Sequence, residues 1–149
     1  MLVNTIQKGI VIDHITAGQG AKIIEYLDID KKVNTIAFIM NATSKKHGRK
    51  DIVKIENVID IDMKVLGLID HNATVNIIEN GEIVKKINLS LPEKVVNVIK
   101  CKNPRCVTSV ETKAPHIFHL IDEANKEYRC EYCDDIVSMK EGSENEIMH

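Results

Sequence analysis

Along the first 90 residues the spacing of hydrophobic positions changes several times, and each change marks an element. Leu2–Gln7 and Ile10–Ile15 read as strands on either side of a Lys8-Gly9 turn. Gly20, Ile23, Ile24 and Leu27 then fall at i, i+3, i+4 and i+7, one face of a helix that Thr16 can cap. Val33–Met40 is a continuous apolar run, as expected of a central strand, and the polar Asn41–Gly48 reads as a loop. Lys50–Asn57 alternates charged and aliphatic residues, so it predicts another strand. Asp60 or Asp62 can open a second helix to about Asp70, although Gly67 weakens it. Thr74–Ile78 and Glu82–Asn88 flank Asn80-Gly81, a pair that accepts the positive φ of a tight hairpin. The order predicts an α+β fold: a ferredoxin-like α/β sandwich, with two helices on one face of a mainly antiparallel sheet.

The pattern breaks at Ser90-Leu91-Pro92-Glu93. Ser90 and Glu93 stand at capping-box spacing with Pro92 early, which predicts a short helix over Pro92–Ile99. Beyond it, Val107–Val110, His116–Ile121 and Glu127–Cys130 have the length and composition of short strands, so a second, small all-β domain is expected. The division expected is residues 1–94 and 95–149, with a polar, acidic Glu141–His149 that frays.

Composition adjusts this picture in three ways. Aromatics are only 3% of 149 residues and Trp is absent, so the core must be aliphatic. No apolar run is long enough to span a membrane, and the opening residues lack a signal peptide's features, so a cytoplasmic location is expected. Residues 1–92 carry 12 Lys/Arg and 11 Asp/Glu, whereas residues 93–149 carry 8 and 11. The second part is thus net acidic. A free zinc-ribbon protein that binds nucleic acid would need the opposite sign there.

That second part holds all four cysteines, as Cys101-x4-Cys106 and Cys130-x2-Cys133 separated by 23 residues. Two short loops, each offering two thiolates, suit one tetrahedral zinc ion. An iron site of the same ligand set and disulfides are the alternatives, and a reducing cytoplasm disfavours the second. Four thiolates leave no position open to substrate, so the ion is expected to be structural.

A catalytic apparatus is not apparent. The chain has no nucleophile elbow, zinc-protease motif or phosphate loop. Asp13 and His14 are neighbours on an expected strand, which points them to opposite faces and disfavours a direct pair. His116 and His119 lie between the cysteine pairs, whose four sulfurs already fill a coordination shell. Lys50 and Lys54 share a strand face about 13 Å apart, comparable with the length of a nucleoside triphosphate. On charge alone, solvated surface lysines are the plainer reading.

The motifs V-I-D-H-I at 11–15, G-R-K-D-I-V-K-I-E-N at 48–57, A-T-V-N at 73–76 and S-L-P-E at 90–93, with the cysteine spacing, resemble the regulatory chains of aspartate carbamoyltransferase. The resemblance runs in order through nearly the whole chain. It implies a non-catalytic chain with an allosteric nucleotide domain and a zinc domain that contacts the catalytic chain. It further implies regulatory homodimers formed through the N-terminal domains, three of which bridge two catalytic trimers in a dodecamer. CTP would inhibit, ATP would oppose it and UTP would act with CTP. By position, Asp13 would meet the ribose and His14 the phosphates. Lys50, Lys54 and Lys86 would also meet the nucleotide, while Val3, Thr5, Ile6, Val11, Asn76, Ile78 and Ile83 would line base and ribose. Gly81 and Asn88 depart from the family pattern, at positions where a bulkier residue and an arginine can stand.

Overall fold

The computed structural model describes residues 7–27, 34–45, 48–58 and 61–140. The chain divides into two compact units, residues 1–90 and 91–149. The expected strand Leu2–Gln7, apart from Gln7, and the tail Glu141–His149 lie outside the described residues.

The first unit runs β1 (Gly9–Thr16), α1 (Gly20–Tyr26), β2 (Ile36–Ser44), β3 (Gly48–Glu56), α2 (Met63–Ile69), β4 (Thr74–Glu79) and β5 (Glu82–Asn88). The five strands form one antiparallel sheet in the order β2-β3-β1-β4-β5. This is the ferredoxin-like order with β5 added beside β4. Ile10, Ile12, Val53, Ile55 and Val75 point to one face by the two-residue period of a strand. There they form the core with Ile23 of α1 and Leu66 of α2, so both helices cover the same face. Asp62 caps α2, its carboxylate accepting from the N–H groups of Lys64 and Val65. The cap expected at Thr16 is different: Thr16 stays in β1, and α1 starts four residues later after Gln19, whose side chain makes no capping bond.

Two expectations for β2 need correction. Among the described strands it lies at the sheet edge, not the centre. Its continuous apolar run reflects two half-buried faces, which periodicity cannot distinguish from two neighbouring strands. The polar Asn41–Ser44 belongs to β2 rather than to a loop, because the β2–β3 hairpin continues past an irregularity between Ile39 and Ala42. Buried Asp51 supports that turn of the chain, accepting from Asn41 N–H (2.8 Å), Gly18 N–H (3.0 Å) and Gly20 N–H (3.1 Å).

The second unit runs β6 (Lys94–Val96), α3 (Val107–Val110), β7 (Ile117–Asp122), β8 (Glu127–Cys130) and β9 (Ile136–Ser138), a four-stranded antiparallel sheet in chain order. Buried Val95, Phe118 and Tyr128 are paired or neighbouring positions on it. The helix expected over Pro92–Ile99 is instead strand β6. Val95 and Val96 are β-branched and gain cross-strand partners in Phe118 and Ile117, which outweighs the capping signal. Conversely, Val107–Val110 is a single helical turn, not a strand. The unit is otherwise all-β. Among the described residues no helix is long and apolar enough to cross a membrane.

Candidate functional site

Two places gather the chemistry. The first is the sheet face opposite the core of the first unit. Register places Lys54 beside Val11, Val11 beside Asn76, and Asn76 beside Lys86, so four strands contribute to one row. In the next row Gly9 stands between Glu56 and Ile78, and Ile78 faces Ile83, which is 62% exposed. Ile52, two residues from both Lys50 and Lys54, adds apolar surface. At the other end, Lys50 Nζ lies 3.0 Å from Asp13 Oδ1. Burial raises the Asp13 carboxyl, but the Lys50 ammonium and the His14 N–H outweigh it and hold the group below the usual carboxylate range.

Asp13 and His14 do come together, contrary to the strand-parity expectation. The β1–β3 register shifts between Ile12 and Ile15, and His14 takes φ 57. This bulge turns the His14 N–H onto Asp13 Oδ1 (2.6 Å) and brings His14 Nε2 to 3.9 Å from Asp13 Oδ2. Thr74 Oγ1, Asn76 Oδ1 and His14 Nδ1 are buried without a hydrogen-bond partner. Such atoms cost roughly 1–3 kcal/mol each. Of the residues singled out from sequence, Val11, Asp13, His14, Lys50, Lys54, Asn76, Ile78, Ile83 and Lys86 are thus on this sheet. Val3, Thr5 and Ile6 lie outside the described residues. Sequence reading missed Thr74 and Glu56, both members of the same strand faces by parity.

The second place is the cysteine cluster. The Sγ atoms of Cys101, Cys106, Cys130 and Cys133 all lie within 4.8 Å of one another. Cys101 and Cys133 are 3.6 Å apart, and Cys106 and Cys130 3.8 Å. Four sulfurs around an ion at about 2.3 Å would be about 3.8 Å apart, so the tetrahedral set fits. All four are free of disulfides.

Local folding makes the cluster. The Asn103 side chain accepts from Arg105 N–H, and the Asn103 carbonyl accepts from Cys106 N–H and from the Ser109 hydroxyl, closing the first loop. Cys130 N–H donates to the Asp135 carbonyl and Asp134 N–H to the Cys130 carbonyl, closing the second. Backbone N–H groups of Asn103 and of Tyr132 and Cys133 turn onto Cys101 and Cys130, respectively. Burial pushes the Cys101 thiol up to about 12 and also raises Cys130. Burial acts against ionisation of Cys106 too, but the Thr108 hydroxyl and N–H outweigh it and bring that thiol down to about 7. His116 Nδ1 accepts from Cys101 N–H and His119 Nε2 lies 2.9 Å from Glu131, so neither histidine is needed as a ligand.

Comparison with known proteins agrees with this division. Residues 1–90 match the family model "Aspartate carbamoyltransferase regulatory chain, allosteric domain", and residues 93–143 match the "metal binding domain" of the same chain. The regulatory chain of Clostridium acetobutylicum is 58% identical over 91% of this chain and 93% of its own length. That of Clostridium botulinum is 56% identical over 93% and 94%. The chain of Bifidobacterium longum is 50% identical over 91% and 97%. With two folded units, one orphaned polar face and one four-sulfur cluster, this chain belongs to the family of aspartate carbamoyltransferase regulatory chains, the non-catalytic subunits of that transferase.

Proposed function

We propose that the β-sheet face of residues 1–94 binds CTP and ATP competitively, and that residues 95–149 bind one structural zinc ion and dock to the catalytic chain. The observation that carries the nucleotide reading is the four-strand row of Lys54, Val11, Asn76 and Lys86, with the buried, unpartnered Asn76 Oδ1 in its middle. Lys50, Lys54 and Lys86 supply cations for a triphosphate, and His14 stands beside them as a hydrogen-bonding group. Asp13 can accept from ribose hydroxyls, and Val11, Ile78 and Ile83 offer an apolar bed for a base. By their match to the family pattern, Val3, Thr5 and Ile6 also meet the base and ribose, and UTP acts alongside CTP. Zinc supplies folding energy to a unit too small for a large core.

Regulation follows from linkage. CTP and ATP each shift the assembly by the difference in their affinity for its two quaternary states. The assembly is a cytoplasmic dodecamer in which regulatory homodimers, joined through their N-terminal units, bridge two catalytic trimers. The test is size-exclusion chromatography with the catalytic chain, with and without zinc. Co-elution only in the presence of zinc supports the docking role; zinc-independent co-elution removes it. CTP titration of the reconstituted complex then tests the nucleotide face.

A further inference from the structure

Thr108 is not a ligand, yet it is buried beside one. It sits in α3, the single turn that begins immediately after Cys106, and its Oγ1 lies 3.1 Å from Cys106 Sγ. Its own N–H is directed at the same sulfur. Cys101 and Cys130 are served by backbone N–H groups instead. The hydroxyl rotor has no polar partner nearer than this sulfur among the hydrogen bonds of the described residues. A thiolate that accepts an O–H bond is less readily protonated away from a metal, and its side chain is held in one rotamer.

We propose that Thr108 is a positioning residue for the metal: its hydroxyl fixes Cys106 Sγ in the ligand geometry and sets how fast this unit releases its ion. The inference rests on the reading of the four sulfurs as a metal site. Outer-shell partners of this kind change metal affinity by roughly 10- to 100-fold. Thr108→Val keeps the backbone N–H and the side-chain shape but removes the O–H. Thr108→Ser removes the methyl and keeps the O–H.

The experiment uses the full chain loaded with zinc and challenged with a chelator that changes colour on taking up zinc. A parallel cobalt-loaded sample reports the sulfur-to-cobalt charge-transfer band. Thr108→Val is expected to release zinc about tenfold faster and to shift the band, while Thr108→Ser keeps both near the parent chain. A Thr108→Val chain with the parent's rate and band overturns the proposal. So does a Thr108→Ser chain as fast as Thr108→Val, since methyl packing would then be the cause. If Thr108→Val does not fold, Thr108→Ala against Thr108→Ser makes the same comparison, and equal rates in that pair overturn the proposal. A parent chain that takes up no ion would defeat the metal reading itself, a separate and recognisable result.

Discussion

Asp13 and Lys50 meet at 3.0 Å beside a bulge, and their pairing has a definite pH signature. The folded carboxyl titrates below its ordinary value of 3.8, so its stabilisation is present above that pH and is lost as pH falls through the lower, folded value. Asp13→Asn is therefore expected to lower the denaturation midpoint of the first unit at neutral pH, by an amount that shrinks below pH 3.8. Midpoints measured across a pH series check this, and a difference that stays constant to low pH would assign the effect to something other than the charge. If the sheet face binds nucleotide as proposed, Lys54→Ala makes a different prediction: losing one charge-assisted contact should weaken CTP binding by about tenfold or more. Calorimetry on the assembled complex reads that loss, and chromatography should show assembly unchanged. At this scale the sequence was unequally legible. The cysteines announce themselves by spacing, because metal ligands on short loops must be close in the chain. The Asp13–His14 pair does not, because the bulge that unites them depends on the partner strand β3.

Two substitutions test how the elements are held. Asp51→Ala would leave the N–H groups of Gly18, Gly20 and Asn41 without their acceptor in a buried place. A loss of about 3 kcal/mol or more is expected, seen as a large fall in the thermal midpoint. Gly9 opens β1 at φ 156, and a Cβ there would run into the carbonyl oxygen of Ile55 on β3. Gly9→Ala should cost about 1–3 kcal/mol, and near-parent stability would mean that β1 and β3 can separate freely. Elements with an intact period were readable from sequence: β1, β3, β4, β5 and the α2 cap all follow from local signals. Those set by partners were not. β6 carries the residues of a helix start but pairs with β7, and α3 carries strand residues but turns back so that Thr108 reaches Cys106.

For the whole molecule, the two units respond differently to metal removal. The four sulfurs join the loop at Cys101–Cys106 to the β8 end at Cys130–Cys133, so a chelator should unfold the second unit and leave the first folded. Hydrogen exchange resolved along the chain checks this: protection should vanish across β6–β9 and persist in β1–β5. The covalent join between the units has its own consequence. Leu89 N–H is bonded to the Ala73 carbonyl and its side chain packs on the first core, while Leu91 is buried and the Pro92 carbonyl accepts from the Tyr128 hydroxyl. Ser90 alone lies between those anchored positions. A join of one residue has few conformations open to it, and lengthening it would add many. If the proposed linkage runs through this join, three glycines inserted after Ser90 should leave nucleotide affinity intact while blunting the response of the transferase.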